Sequence, residues 1–256
     1  MNSPLISVII PAFNSGKYLR KAVESVLNQT VLINQKVRLE ILILDDASND
    51  STNMAAEKLC AQHHQIKYFR NQENLGAAET RNRGFTLAEG EYMAFLDADD
   101  IWLESKLERQ LSLMEGRNLD VCYTGYSFIN YQGIPFGKPY RVPENLSLKR
   151  LINENVIGCS TVLARKSAIQ GLQMRKEYAH EDYVFWMELM QKGRRFGGIK
   201  EPLSLYRMAK NSRSNNKMKS ALARWRIYRD FLKLNVFSAT ASFISYAVRG
   251  FRKYYL

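Results

Sequence analysis

Two apolar runs, Leu39–Leu44 and Tyr92–Leu96, each end abruptly in aspartates: Asp45-Asp46 after the first, Asp97-Ala98-Asp99-Asp100 after the second. Runs that are apolar throughout, rather than alternating, are the mark of strands covered on both faces. Leu5–Ile10, stopped by Pro11, and Ile66–Phe69 read as two more strands. Segments of helical period lie between them. Lys17 to Asn28 puts Leu19, Val23, Val26 and Leu27 on one face; Ser51 to Ala61 follows Asp50 as an N-cap; Ala77 to Ala88 closes at Gly90; and Leu103 to Met114 follows the second acidic cluster. Strands alternating with helices imply an α/β fold with a mostly parallel sheet flanked by helices. Such sheets bind ligands beyond the carboxyl ends of their strands, so both acidic clusters are expected on one edge.

From Asp120 the pattern changes. Val121 to Ile129 predicts a strand, and a loop containing Pro and Gly runs to about Pro143. Short strands near Thr161–Ala164 and Leu203–Arg207 flank a helix from Glu181 to Gln191. The last segment, 217–256, holds nine Lys/Arg and one acid, Asp230, hence +8 of the chain's formal +12. In it Leu222, Trp225, Tyr228, Phe231 and Leu232 fall on one helical face among basic residues. That stripe fits either an interfacial helix on an anionic membrane or a helix docked on the domain with a solvated basic face.

Charge on this scale calls for an anionic partner: nucleic acid, phosphate-bearing substrate or anionic lipid. Nucleic acid would leave the two acid clusters unexplained, because carboxylates repel a phosphate backbone. Cys60, Cys122 and Cys159 are dispersed without a C-x-x-C pair, which predicts a reducing compartment and neither a disulfide framework nor a zinc site. The opening apolar run is too short for a secretion signal and has no basic leader, and no apolar stretch approaches the ~20 residues that span a bilayer. The expected location is cytoplasmic.

Asp97 and Asp99, spaced i, i+2 beyond a strand, can converge on Mg²⁺ or Mn²⁺, which take oxygen ligands and leave positions for substrate phosphates. The plainer reading is an acidic turn capping the next helix. Asp45 can accept from a base N–H or a ribose hydroxyl, or simply cap its loop. Asp182 opens a helix and on its own reads as an N-cap. His180 and the His63-His64 pair read as cap, surface or structural residues, and Cys159 as packing.

Taken in order, these segments resemble glycosyltransferase family 2. Pro11-Ala12-Phe13-Asn14 resembles its P-x-[YF]-N, Asp45 to Thr52 its D-D-x-S-x-D-x-T, and Asn74-Leu75-Gly76 with Arg81-Asn82-Arg83-Gly84 its N-x-G…A-R-N-x-G, with Thr80 in place of the usual Ala. Asp97 to Asp100 is the D-x-D-D, Glu181-Asp182 with Phe185-Trp186 the E-D…W helix start, and Tyr206-Arg207 with Ser212-Arg213-Ser214 the Y-R…S-x-S loop.

The resemblance implies a GT-A, Rossmann-like fold over 1–216, with a nucleotide-sugar half (1–118) and an acceptor half (119–216), then the basic helical extension 217–256. It further implies an inverting hexosyltransferase. Pro11, Phe13 and Asp45 would line the nucleobase pocket, Arg81 would reach the diphosphate, Asp97 ribose or metal, and Asp99 the metal, Mn²⁺ or Mg²⁺. Asp182 would be the general base, and Arg213 would close over the donor. The implied partners are a nucleotide sugar, UDP-glucose or UDP-galactose, a saccharide acceptor on a lipid diphosphate, and an anionic membrane surface, with no nucleic acid. The rivals are a basic nucleic-acid-binding protein and a sugar-nucleotide-binding scaffold without activity; a nucleotidyltransferase would need a Gly-rich phosphate loop, which the sequence lacks.

Overall fold

The computed structural model describes residues 3–33, 36–208 and 217–255. Along the chain the elements are β1 (Leu5–Ala12), α1 (Gly16–Leu27), α2 (Thr30–Ile33), β2 (Arg38–Asp45), α3 (Thr52–Gln62), β3 (Ile66–Arg70), α4 (Ala77–Leu87), β4 (Tyr92–Phe95), β5 (Ile101–Trp102) and α5 (Lys106–Gly116). Then follow β6 (Val121–Ile129), β7 (Pro135–Tyr140), α6 (Leu148–Asn153), β8 (Leu163–Arg165), α7 (Lys166–Ile169), α8 (Glu181–Gln191), β9 (Phe196–Arg207), α9 (Lys217–Arg226) and α10 (Val236–Tyr255). One nine-stranded sheet runs in the order β3-β2-β1-β4-β8-β6-β9-β5, with β7 also paired to β6. β1 pairs in parallel with β2 and β4, β2 with β3, and β6 with β9; the pairings of β8, β5 and β7 are antiparallel. The α/β architecture read from the strand–helix alternation is therefore the one observed.

Alternate side chains of the strands serve two cores, as the two-residue period of a strand requires. Ile6, Val8 and Ile10 of β1 and Ile41 and Ile43 of β2 pack with Leu19 and Val23 of α1, Leu59 of α3 and Leu107 of α5. Ile9, Leu42 and Leu44, one residue out of phase, pack with Phe95, Ala78 of α4 and Tyr183, Phe185 and Trp186 of α8. α4 lies especially close to the sheet: a Cβ at Gly84 would stand 2.7 Å from Ile9 Cγ2 and 2.8 Å from Leu44 Cδ1. Glycine there lets α4 settle against β1 and β2, which brings Arg81, one turn earlier, to the strand ends.

Besides the short helices α2, α6 and α7, which the sequence reading did not anticipate, four differences stand out. α5 begins at Lys106 rather than Leu103, because Ile101 and Trp102 pair with Leu205 and Ser204 of β9. The loop before Pro143 contains β7, whose Pro and Gly content hid an edge strand. β9 starts at Phe196, its apolar pattern masked by Gly197 and Gly198. The basic tail is not a single helix: α9 passes through a π-helical turn, Ile227–Phe231, before α10.

Of the two alternatives for the apolar stripe of the tail, the structure shows docking on the domain. Ile227 and Tyr228 are fully buried, and the Tyr228 hydroxyl donates to Ile152 O at 2.8 Å. Trp225 meets Phe243, and Phe231 meets Tyr178. Of the five stripe residues only Leu222 is exposed. Among the described residues no helix is long and apolar enough to cross a membrane.

Candidate active site

The strand ends form a rim built from loops that are stitched together. After β1, Phe13 stands half exposed (48%), while Asn14 N–H donates to Ser48 Oγ and Asn49 N–H to Asn14 Oδ1. Asn14 and Ala47 both have positive φ, 50° and 59°, so these turns are held by their partners across the rim. Asp50 receives N–H bonds from Thr52 and Gly16, so the loop after β2 is pinned to the starts of both α3 and α1.

Within the loop after β2, Asp45 stands otherwise than expected. It is fully enclosed, and its carboxylate already accepts from Ser48 N–H (2.8 Å), Tyr68 OH (2.8 Å) and Arg70 Nη1 (3.2 Å). Its oxygens are committed to the loop and are not open to a base. Burial, and then pairing with the carboxylate, raises the Tyr68 hydroxyl to about 12, so Tyr68 acts as a donor. Asp46 is equally engaged: Leu75 N–H, Gly76 N–H and Asn71 Nδ2 converge on it and fix the N-terminus of α4. The D-D motif thus supports the rim. Pro11 lies in β1 opposite Leu44, just beneath it.

The second acidic cluster is where chain segments distant in sequence meet. Arg81 on α4 donates from Nη2 to Asp97 Oδ1 at 2.6 Å and from Nη1 to Glu181 Oε1 at 2.9 Å. Arg81 is almost wholly buried, Asp97 is about one-third exposed and Glu181 lies between. A desolvated guanidinium bridging two carboxylates is a geometrically specific tie, far stronger than a surface pair. It sets the end of β4 against the start of α8 and leaves the carboxyl of Asp182 beside both. Burial, and then the charge of Glu181, push Asp182 up to about 6, against a partial opposing pull from Arg81. A carboxylate ionised at neutral pH, yet basic enough to take a proton, suits general-base work. The guanidinium expected to reach a diphosphate contacts these two carboxylates.

Asp99 and Asp100 complete the cluster. Asp99 is pushed up to about 6 by burial and by the charge of Asp97; Asp100 is raised well above the carboxylate range by burial and both neighbours. Asp100 is buried and accepts from Ser160 Oγ (2.6 Å) and Arg207 N–H (2.8 Å), so its role is structural. Asp97 and Asp99 remain as the pair at the rim. Crowded carboxyls, with Asp99 raised by the charge of Asp97, are a donor set a divalent cation relieves, and Mg²⁺ or Mn²⁺ needs only one or two of them besides phosphate oxygens. Among the described residues no group of three or more His, Cys, Asp or Glu forms a closed cage. The residues present fit an open site of that kind.

Several members of the site were not among the candidate site residues read from the sequence, although Glu181 and Arg207 stand in its motifs. Ser160 accepts from Asp97 N–H (3.0 Å) while donating to Asp100, tying the acceptor half to the D-x-D-D turn. Arg207 donates to Asp99 O (2.7 Å) and Asn130 O (2.9 Å), and its guanidinium lies 4.6 Å from the centre of the Tyr18 ring. Glu181 was legible only as the neighbour of Asp182. Burial holds the Cys159 thiol far above its ordinary value, which leaves it neutral and packed beside Arg81. His180 precedes α8 with its imidazole pushed down to about 4 by burial and by Arg224, so it is neutral as well. Arg213 lies outside the described residues.

Comparison with known proteins agrees with this geometry. The family model "Glycosyl transferase family 2" matches residues 7–170, well over half of the chain. TuaG of Bacillus subtilis strain 168, named for teichuronic acid biosynthesis, is 36% identical over 98% of this chain and 97% of its own length. WfgD of Escherichia coli, a UDP-Glc:α-D-GlcNAc-diphosphoundecaprenol β-1,3-glucosyltransferase, is 31% identical over 99% of this chain and 96% of its own. Among solved structures, S. aureus TarS in complex with UDP-GlcNAc superposes with a TM-score of 0.72 at 21% identity, covering 96% of this chain and 72% of TarS. The chain therefore belongs to glycosyl transferase family 2 and has the GT-A fold.

Proposed function

We propose that the protein transfers a hexose, with inversion, from a nucleotide sugar to a hydroxyl of a saccharide carried on a lipid diphosphate, forming a β-glycoside for a cell-surface polysaccharide. The observation that carries this reading is the Arg81 bridge between Asp97 and Glu181, which sets the carboxyl of Asp182 beside the D-x-D-D turn. The substrate class is supported by the relatives along nearly the whole chain: WfgD and, at 30% identity over 85% of this chain, WfaP of Escherichia coli both carry names specifying UDP-Glc and a GlcNAc-diphosphoundecaprenol acceptor. UDP-glucose is the favoured donor, UDP-galactose the alternative. Lipopolysaccharide O-antigen, capsule or exopolysaccharide is the destination, and the cytoplasmic face of the membrane the place of action.

The acceptor hydroxyl attacks the anomeric carbon on the side opposite the departing nucleoside diphosphate. The Asp182 carboxylate takes the hydroxyl proton, a contribution of about 10²–10⁴ in rate. Arg81 holds Asp97 and Glu181 in register and places its charge beside the phosphates. Phe13 offers an exposed ring at the end of β1 for the base, over a floor fixed by Pro11 and Asp45. Asp99, with Asp97, would hold Mn²⁺ or Mg²⁺, which when bound neutralises charge on the diphosphate. Arg213 would cover the donor. A screen settles the reading: nucleotide sugars, Mn²⁺ or Mg²⁺ and a lipid-diphosphate saccharide, with release of nucleoside diphosphate as the readout. Release that depends on both acceptor and UDP-hexose supports it; no release with any donor refutes it.

A further inference from the structure

Over residues 236–249, α10 packs one face against the domain. On the inner face Ala239 is fully buried, Phe243 meets Trp225, and Tyr246 stacks on the Arg224 guanidinium, which lies 4.1 Å from the centre of its ring. Arg224, fully buried, is sandwiched on its other side by Tyr183, at 3.7 Å. Tyr183 directly follows Asp182. Arg249 Nη1 reaches Glu154 at 3.3 Å just beyond α6. The inner face is thus seated on the acceptor half.

The outer face is apolar and bare. Phe237 is 88% exposed, Ile244 58% and Val248 48%, at the i, i+7, i+11 spacing that draws one line along a helix. Thr240, Ala241 and Ala247 are exposed between them, and Val236 beside them. In sequence the spacing continues to Phe251 and Tyr255. Contiguous exposed apolar residues of this kind mark a contact surface.

Charge decides what covers it. Residues 217–256 carry nine Lys/Arg against the single Asp230, a net +8. Arg224 is buried and Arg249 pairs with Glu154, but the remaining basic residues still outnumber the acid, so a second copy would set like charge against like, whereas an anionic lipid surface neutralises it. The helix has 20 residues but does not qualify as a span, so it would lie along a bilayer rather than through it.

We propose that the outer face of α10, led by Phe237, Ile244 and Val248, inserts into the interface of an anionic bilayer and holds the acceptor half of the catalytic domain against it. The purpose of this contact rests on the lipid-linked acceptor proposed above; the surface itself does not. It replaces the stripe of Trp225, Tyr228 and Phe231, which the fold has consumed.

The test is flotation of the full chain with vesicles of phosphatidylcholine alone and of phosphatidylcholine with phosphatidylglycerol. The wild type is expected to float with the anionic vesicles and progressively less as salt rises. Phe237→Glu/Ile244→Glu is expected to lower partitioning about tenfold or more, and the milder Ile244→Ser/Val248→Ser in the same direction, with far-UV circular dichroism unchanged. Partitioning equal in wild type and both variants, or no flotation of the wild type, overturns the proposal. So does light scattering that shows a wild-type dimer broken by these substitutions, since the occupant is then a second copy. Flotation of a wild type that glycosylates no lipid-diphosphate saccharide would leave the membrane surface standing and remove the acceptor reading instead.

Discussion

If Asp182 is the base, its raised protonation constant dictates the acid limb of the pH–rate profile. Only the carboxylate can accept the hydroxyl proton, so kcat/KM must rise with pH through the value of Asp182, about 6. About nine-tenths of the molecules are then competent at pH 7 and about one-tenth at pH 5, an expected tenfold fall. A carboxyl at its ordinary 3.8 would lose less than about a tenth of its activity over that range. The structure also fixes the signs of two shifts. Glu181 raises Asp182 and Arg81 lowers it, so Glu181→Gln should move the limb to lower pH and Arg81→Gln to higher pH. Both variants will lose rate, so the shape of the profile is read rather than its height. The assay is initial-rate release of nucleoside diphosphate from pH 4.5 to 8, under saturating Mn²⁺ so that Asp99 stays ionised. A limb near 4, or two variants shifting in the same direction, would rule out Asp182 as the group that sets the limb.

Other consequences are independent of that profile. Mn²⁺ should raise the melting temperature of the wild type by relieving repulsion among Asp97, Asp99 and Asp100, and Asp99→Asn should abolish the increment; an equal rise in both, read by differential scanning fluorimetry, removes Asp99 as a ligand. Gly84→Ala sets a helix-propensity gain of about 0.5–1 kcal/mol against overpacking of Ile9 and Leu44 at about 1–3 kcal/mol. Overpacking should win, lowering the denaturation midpoint. Lys106 is fully buried, bonded to Gln110 Oε1 and facing the Trp102 ring at 3.9 Å, and burial pushes it down to about 7. The unfolded chain therefore binds the extra proton above pH 7. Stability should rise from pH 7 to 9 by up to about 1.4 kcal/mol per unit, and Lys106→Met should flatten the slope in urea titrations at each pH.

The sequence revealed the parallel half well because its signals are local. Apolar runs ending in aspartates, and the periodicity of α1, α3 and α4, locate each element without knowledge of its neighbours. β5 and β7 were hidden, since Ile101-Trp102 becomes a strand only by pairing with β9, and Pro135–Tyr140 gains its edge only from β6. Within the site, residue types at motif positions marked Arg81, Asp97, Asp99 and Asp182, but not which partners they would choose. Asp45 could cap its loop or accept from a base, and only the family resemblance placed it in the nucleobase pocket; in space Tyr68, Arg70 and Ser48 N–H claim it. Ser160 is an ordinary residue in sequence, and Arg207 belongs to the Y-R motif without a role assigned to it; each finds its partners only where the D-x-D-D turn meets it. The tail shows the same limit: periodicity gives an apolar face to α9 and to α10 alike, and only packing decides which is spent.

The most direct test of the account is transfer by Asp182→Ala loaded with its donor. Isothermal titration with UDP-hexose and Mn²⁺ should give wild-type affinity, because Asp97, Asp99 and Arg81 remain, while transfer to the lipid-diphosphate saccharide in the same sample falls at least about a hundredfold. Turnover at the wild-type rate would contradict the claim that this carboxyl, held beside the nucleotide site by Arg81 and Glu181, deprotonates the acceptor.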